Sequence, residues 1–268
     1  MSTPLAEIID DLEAEQAALA KVLNALPAAA WETPTHAPGW SVRDQVSHLA
    51  FFDEAAALAI TGREAFAAEV RALKAPSDLE ARYVPRGRGM TPGKVLEWWR
   101  AASSTLIAAA RGVDPKARLP WYGPDMSAVS FITARLMETW SHGLDVVDVA
   151  GGDRPDTDRL RHVAFLGVRT RAYSYMVHGM QAPVTGVRVE LTAPSGETWV
   201  LGDADAEDAV RGTATDFCRV VTQRRHIADT NLEVHGPAAA EWMGIAQAFA
   251  GPPGQGRRPG EFAGEKQA

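Results

Sequence analysis

The sequence predicts a multi-domain protein, with an all-α domain at residues 1–180, a small α+β domain at residues 181–251 and a flexible tail at residues 252–268. Three observations support this prediction. In the first segment, apolar residues recur at intervals of three and four, which is the spacing of amphipathic helices. In the second, apolar and polar residues alternate on both sides of a Ser-Gly pair, as in a β-hairpin. The last segment is rich in Gly, Pro and charge, a composition that does not form a packed core.

Helices are predicted along most of the first domain. The first spans residues 4–26, where apolar side chains follow a helical stripe. The second begins near Val42, after a Pro-Gly turn and with Ser41 as its N-cap, and it carries His48 beside its inward-facing stripe. A short third helix follows. Residues 76–92 are then predicted to be a connection because of their prolines and glycines.

Three further helices complete the first domain. One spans residues 91–112, with threonine as its cap, proline at its first position and glycine at its end. A proline-rich loop at residues 113–125 leads to a long helix over residues 127–151, and a last helix is predicted at residues 157–178.

The second domain is predicted to combine strands and helices. Strands are expected at residues 187–194, 197–203 and 232–234. Helices are expected at residues 213–223 and 238–250. This content predicts a small α+β domain of ordinary size.

The bulk composition argues against several classes of protein. Lys and Arg total 27 against 34 Asp and Glu, a formal charge of −7. No extended basic block is present, which argues against a nucleic-acid partner. A single cysteine, Cys218, excludes an intrachain disulfide, is typical of a reducing compartment and lies among apolar residues that predict core. The acidic N-terminus is unlike a signal peptide and no apolar run reaches the length of a membrane span, so we expect a cytoplasmic protein without a membrane partner.

Glu138 and His142 lie one turn apart in the long helix over residues 127–151, so their side chains leave the same face. Asp145 follows on nearly the same stripe. The sharpest hypothesis for titratable groups on a core-facing stripe is that Glu138 and His142 bind a metal together with a residue of another helix. The alternatives are an ordinary ion pair on the helix surface and, for Asp145, a local cap or ion pair.

His48 is the candidate third ligand, because its helix places it beside the bundle interior. A hydrogen-bonded core histidine is the other interpretation of a lone histidine there, and the residues alone leave both open. Two imidazoles and a carboxylate form the ligand set of a catalytic zinc site whose fourth position accepts water or a substrate atom. Such a metal turns a bound water or thiol into a nucleophile at neutral pH.

Three segments of the chain carry a resemblance to the mycothiol-dependent maleylpyruvate isomerase family, and in detail to an actinobacterial branch of metal-binding relatives. They are PGWSVRDQVSHLA at residues 38–50, ARLMETWSHGLDVVDVAG at residues 134–151 and GTATDFCRVVTQRRHIADTNLEVHGPAAAEWM at residues 212–243. The resemblance covers nearly the whole chain short of the tail. It implies a DinB-like four-helix bundle as the N-terminal domain and a sterol-carrier-like α+β fold as the C-terminal domain.

The same resemblance implies a set of functional residues. His48, Glu138 and His142 correspond to the metal ligands of the family. Asp145 corresponds to its functional aspartate. An arginine of the C-terminal domain corresponds to Arg224, with Arg225 as the alternative.

The chemistry that the resemblance implies needs a divalent metal, most readily zinc, with nickel, iron or manganese as alternatives, and a mycothiol-like thiol as cosubstrate. The metal would bind the thiolate while Arg224 held an anionic group of a small electrophilic substrate. Expulsion of the thiol after bond rotation would be isomerisation, and retention of the adduct would be S-transfer. The loop at residues 119–128 matches no part of the isomerase, which leaves the substrate open. A hydrolase that uses metal-bound water and a non-catalytic metal- or ligand-binding module are the alternatives, and the oligomeric state is not set by the sequence.

Overall fold

The computed structural model describes residues 4–75 and 77–262, and the chain divides into two compact units, Met1–Arg154 and Pro155–Ala268. The first unit is helical with one small antiparallel sheet. Its helices are α1 (Leu5–Ala25), α2 (Val42–Thr61), α3 (Arg63–Arg71), α4 (Ser77–Arg88), α5 (Pro92–Arg111) and α6 (Ala128–Ala150). The sheet pairs β1 (Arg118–Leu119) with β2 (Met126–Ser127), just before α6.

Helices α1, α2, α5 and α6 form a four-helix bundle. Each helix packs against two neighbours, since both α1 and α2 contact α5 and α6. The facing sides are apolar, and burial of each large aliphatic side chain contributes roughly 1.5–3 kcal/mol relative to exposure. The buried side chains of the main cluster include Leu19, Leu23, Val46, Leu49, Val95, Trp99 and Val146. The predicted helical bundle is therefore confirmed.

Side-chain caps set where three of the long helices, α2, α5 and α6, begin. The Ser41 side chain accepts a hydrogen bond from the Asp44 N–H while the Asp44 carboxylate accepts one from the Ser41 N–H, which is a capping box at the start of α2. The side chain of Thr91 caps α5, whose first residue is Pro92, and the side chain of Ser127 caps α6. A cap of this kind stabilises a helix by about 1 kcal/mol.

Helix α4 lies where the sequence predicts a connection. Pro85 is inside it and removes one backbone hydrogen bond. The helix forms because it packs on α2 and buries Tyr83 in the bundle core. At its end, the Arg88 guanidinium lies 2.9 Å from the fully buried carboxylate of Asp44. Tertiary packing thus outweighs the local signal of the prolines and glycines.

The second unit is built on a four-stranded sheet with strand order β4-β3-β5-β6. Strand β3 pairs antiparallel with β4 and parallel with β5, and β5 pairs antiparallel with β6. Its elements are α7 (Leu160–Arg169), α8 (Arg171–Val177), β3 (Arg188–Thr192), β4 (Thr198–Gly202), β5 (Ala209–Thr213), α9 (Ala214–Val221), β6 (Glu233–His235) and α10 (Pro237–Ile245). The small α+β domain is confirmed. Of the four strands of this sheet, β5 is the one that the sequence does not predict, because its five residues include a glycine and lack a clear alternation.

Helices α7 and α8 lie in the second compact unit, whereas the sequence places this segment in the first domain. Helix α7 packs on α9 and β4. A Cβ at Gly167 would lie 2.8 Å from a methyl group of Val221, so glycine permits this close approach of α7 to α9. The segment is also two helices with a break at Thr170, where the sequence predicts one. The division between the units therefore precedes α7.

Part of the C-terminal segment, up to Phe262, packs against the rest of the second unit, whereas the sequence predicts a flexible tail from residue 252. The Asp229 carboxylate accepts hydrogen bonds from the backbone N–H of Gly260 (2.7 Å) and of Phe262 (3.2 Å). The Arg225 guanidinium lies 3.7 Å from the centre of the Phe262 ring. These contacts fix the position of this part of the tail, and its remainder lies outside the described residues.

No helix within residues 4–75 and 77–262 combines the length and the apolar character needed to cross a membrane. Cys218 is fully buried, and burial raises the pKa of its thiol well above the usual value. A buried thiol of this kind is a poor nucleophile, as expected for a core cysteine.

Candidate metal centre

Glu138 and His142 of α6 converge with His48 of α2, where the two helices pack together. The Oε2 atom of Glu138 lies 3.0 Å from Nε2 of His142 and 3.1 Å from Nε2 of His48. One ligand atom from each residue lies within 4.8 Å of the others. The structure thus brings together the three side chains that the sequence analysis proposes as metal ligands.

The three side chains are mostly buried but remain reachable. The exposed fraction is 14% for the side chain of His48, 21% for Glu138 and 11% for His142. A fully sealed site would admit neither an ion nor a substrate. The partial exposure therefore agrees with a site that small molecules enter.

A close contact between α4 and α2 shapes the His48 side of the site. A Cβ at Gly87 would lie 1.9 Å from the hydroxyl oxygen of Ser47, so only glycine allows this approach. The contact lies next to His48 in the chain. It lets the Tyr83 hydroxyl of α4 lie 3.4 Å from Nδ1 of His48.

The far side of His142 is also engaged. Its Nδ1 lies 2.5 Å from the amide oxygen of Gln45, and the amide nitrogen of Gln45 donates to the Thr35 hydroxyl at 2.8 Å. The Asp145 carboxylate is fully buried and lies 3.9 Å from the same Nδ1. Each histidine therefore turns its Nε2 atom toward Glu138. Partners of this type usually orient metal-binding histidines.

The protonation states suit metal binding. Burial alone would raise the pKa of Glu138, but the neighbouring His142 and His48 hold it well below its usual value. Burial and the neighbouring His142 lower the pKa of His48 to about 3. At neutral pH the carboxylate is therefore ionised and the His48 ring is neutral, which are the forms that bind metals.

The donor set fits a divalent cation. Two imidazole Nε2 atoms and one carboxylate oxygen face one another, and their lone pairs repel unless a proton or a cation lies between them. One proton satisfies one of the two contacts between histidine and Glu138. A divalent cation satisfies all three atoms together, and this combination of ligands is typical of zinc sites that keep a free position.

Aromatic rings surround the two histidines. The centre of the His48 ring lies 4.5 Å from that of Phe52 and 5.4 Å from those of Trp40 and Tyr83. Trp40 stacks on His142, with ring centres 6.0 Å apart and an angle of 20° between the planes. The site therefore has an apolar boundary that limits the water around it.

The loop between α5 and α6 extends this aromatic surface. Trp121 stacks on Phe66 of α3 with ring centres 5.8 Å apart. The Tyr122 ring lies 5.8 Å from that of Phe52, which in turn contacts His48. The loop thus adds Trp121 and Tyr122 to the aromatic rings around the site.

The two candidate arginines lie just after α9 in the second unit and differ in exposure. Arg224 is partly exposed and donates to the Thr222 carbonyl at 2.8 Å. Arg225 is 3% exposed and packs against Phe262. Arg224 is therefore the one whose side chain a solute reaches more readily.

Sequence reasoning missed three features next to the ligands. Two are Gln45 and Tyr83, and the third is a buried ion pair in which Arg135 donates to Asp53 at 2.9 and 3.1 Å. Gln45 and Arg135 each lie three residues before a proposed ligand on the same helix face, a spacing that could have revealed them. Tyr83 offered no such signal, because its segment has the composition of a connection.

Comparisons with known proteins agree with this architecture. A sequence profile described as the mycothiol maleylpyruvate isomerase N-terminal domain matches residues 12–147. The chain is 44% identical over 250 residues to uncharacterized proteins from two strains of Mycobacterium tuberculosis, covering 93% of this chain and 97% of theirs.

Crystal structures of the mycothiol-dependent maleylpyruvate isomerase and of a histidine-to-alanine mutant of it share the fold. Both match with a TM-score of 0.60, over 84% of this chain and 93% of those chains, at 20% and 19% identity. The profile match spans the helical bundle that carries His48, Glu138 and His142. The chain therefore belongs to the mycothiol maleylpyruvate isomerase family.

Proposed function

We propose that this protein is a divalent-metal-dependent enzyme that uses a low-molecular-weight thiol for isomerisation or S-transfer on a small electrophilic substrate. The observation that carries the proposal is the convergence of His48, Glu138 and His142, with one ligand atom from each within 4.8 Å of the others. The thiol is inferred from the family, because the similar crystal structures are of an isomerase described as mycothiol-dependent.

His48 and His142 would hold the metal through Nε2, and Glu138 through its carboxylate. Zinc suits two nitrogens and one oxygen, and nickel, iron and manganese bind similar donors. When bound, such an ion lowers the pKa of a coordinated thiol so that it reacts as the thiolate at neutral pH. Because the neighbouring histidines already hold the pKa of Glu138 well below its usual value, this ligand needs no deprotonation before the ion binds.

The surrounding side chains favour a thiol over water as the nucleophile. The rings of Trp40 and Phe52 beside His48 limit the water around the reacting atoms. Asp145 is fully buried beside His142, and we assign it to orienting that ring or a polar group of the thiol. Arg224 is assigned to an anionic group of the second substrate.

The proposed isomerisation starts when the thiolate sulfur adds to an activated carbon–carbon double bond. A carbon–sulfur bond forms, and the π electron pair moves onto a conjugated carbonyl oxygen as an enolate. The former double bond is now single and rotates. Return of the electron pair re-forms the double bond and expels the thiolate, so nothing is oxidised or reduced. In S-transfer, the enolate carbon takes a proton and the carbon–sulfur bond is retained.

Metal analysis of purified variants tests the ligand assignment. The wild-type protein should bind about one divalent ion per chain, and His48→Ala should lose most of it because one of three ligands is gone. His178→Ala is the matched control, since His178 lies in the second unit and bonds to the Ser174 carbonyl. Undiminished metal in His48→Ala would remove His48 from the ligand set.

Thiol dependence tests the reaction class. Activity on small α,β-unsaturated carboxylates should require an added cysteine-based thiol and should fall after metal removal. Turnover at full rate without a thiol would instead support a hydrolase that uses metal-bound water. Spectroscopy of the cobalt-substituted protein should show sulfur coordination when the thiol is added.

A further inference from the structure

We infer that Gln45 is a positioning residue, which fixes the His142 tautomer that leaves Nε2 free for a metal. The inference rests on the metal site of the proposed function. It concerns a residue that is neither a ligand nor in contact with substrate. Its basis is a chain of three hydrogen bonds that ends on the ring of His142.

The chain of hydrogen bonds starts at the Trp40 carbonyl. The Thr35 hydroxyl donates its single proton to that carbonyl at 3.0 Å, so it faces Gln45 as an acceptor. The Gln45 side chain therefore turns its NH₂ group toward Thr35, at 2.8 Å. Its amide oxygen is left facing Nδ1 of His142 at 2.5 Å.

The direction of this chain determines the tautomer. An amide oxygen accepts but never donates, so the hydrogen bond requires a proton on Nδ1 of His142. The neutral ring then has no proton on Nε2, and its lone pair faces Glu138 at 3.0 Å. Without Gln45, a proton on Nε2 would donate to the Glu138 carboxylate and block the position of a metal.

No other direct partner for Nδ1 is seen in the contacts of the described residues. The Asp145 carboxylate lies 3.9 Å away, which is beyond hydrogen-bond distance. Gln45 is fully buried, so water does not replace its amide oxygen readily. The Gln45 amide is therefore the direct hydrogen-bond partner that selects the tautomer, and the charge of Asp145 farther away favours the same one.

The loop before α2 holds the amide in this orientation. The Thr35 N–H donates to the Trp40 carbonyl at 2.7 Å, and Pro34 bridges to Ser41 at the start of the helix. Trp40 also stacks on the His142 ring. The same short loop thus orients the imidazole through stacking and through the hydrogen bonds of Thr35.

The tautomer is tested directly by nitrogen-15 NMR of the metal-free protein at a pH above the histidine range. The His142 signals are those missing from His142→Asn. Wild type should show the Nδ1–H form, and Gln45→Leu should show a population of the Nε2–H form. Gln45→Glu keeps an acceptor oxygen at this position and should restore the wild-type tautomer. Persistence of the Nδ1–H form in Gln45→Leu would overturn the inference.

Metal affinity provides the second measurement. Zinc competition with a chromophoric chelator should give a 10–100-fold weaker Kd for Gln45→Leu, the usual effect of losing such a partner. The absorption spectrum of bound cobalt should change as well. Ser141→Ala is the control, because Ser141 is buried beside His142 but bonds to the Met137 carbonyl. Equal zinc affinity and equal cobalt spectra for wild type and Gln45→Leu would also overturn the inference.

Two further outcomes remain decisive. If Gln45→Leu fails to fold, Thr35→Val replaces it, since loss of the hydroxyl frees the amide to turn and should produce the Nε2–H form. An unchanged tautomer in that variant argues against the inference. If the wild-type protein binds none of zinc, nickel, iron and manganese, the proposed function fails, and the NMR comparison still decides whether Gln45 sets the tautomer.

Discussion

Replacing Asp53 with leucine should destabilise the helical bundle by about 3–5 kcal/mol, the usual cost of removing one partner of a buried ion pair. The Asp53 carboxylate is fully buried and accepts hydrogen bonds from the Arg135 guanidinium at 2.9 and 3.1 Å. The Arg135 side chain is 4% exposed, so it stays buried as an unpaired charge. Gln16, whose amide lies 3.5 Å from Asp53, is neutral and does not replace the lost charge.

The double variant carrying Asp53→Leu and Arg135→Met should recover most of this loss. Burial raises the pKa of Asp53 even though Arg135 lowers it, which indicates that the pair is costly to bury. Apolar residues of similar size avoid that cost, and such replacements are often neutral or stabilising by about 1–4 kcal/mol.

Urea unfolding followed by circular dichroism gives the free energy of unfolding of wild type, of each single variant and of the double variant. We expect a coupling energy of at least about 2 kcal/mol between the two substitutions. Glu97→Gln is the control, because its ion pair with Lys94 is largely exposed and should contribute no more than about 1 kcal/mol. The reasoning is refuted if Asp53→Leu loses less than about 1 kcal/mol, or if the double variant is as unstable as the single one.

Two further predictions concern pH and packing. The metal-free protein should lose stability as pH falls below about 6.5, because the folded-state pKa of His48 is about 3 and the unfolded chain therefore binds one more proton between these values. The free energy of unfolding should change with pH by about 1.4 kcal/mol per pH unit, which thermal melts at several pH values measure. An equally steep pH dependence in His48→Asn would show that His48 is not its cause. Gly87→Ala should cost about 1–3 kcal/mol, because the new Cβ would lie 1.9 Å from the Ser47 hydroxyl oxygen. Urea unfolding measures this loss, and the double variant Gly87→Ala with Ser47→Gly should recover part of it. Gly93→Ala is the control, because a Cβ at Gly93 has no atom within 4 Å and the variant should lose no stability.

The part of the site that lies on one helix could be predicted from local rules. Glu138 and His142 are four residues apart, and helix geometry alone places them on one face. His48 is different, because its approach to Glu138 depends on how α2 packs against α6 across 90 positions of sequence. The spacing of residues along one helix cannot predict a contact between two helices. The resemblance to the family predicted this one.

The groups that hold the ligands in place were harder to predict. An amide such as Gln45 carries no charge and belongs to no ligand motif, so its importance appears only when its partners are known. Tyr83 lies in a segment whose proline and glycines indicate a connection, and it reaches His48 because Gly87 lets α4 approach α2. The bundle itself was predictable because its apolar stripes are long and regular.

The two histidines of the site differ in what holds their far nitrogens. The amide oxygen of Gln45 only accepts, so His142 keeps one tautomer. The Tyr83 hydroxyl both donates and accepts, and at 3.4 Å it keeps its contact with His48 whichever nitrogen of that ring carries the proton. Since Glu138 and His142 share α6, that helix presents a fixed pair of ligand atoms. The third ligand, His48 of α2, is the one that can change which ring nitrogen carries the proton. The fixed part of the site is therefore the part that local sequence spacing could predict.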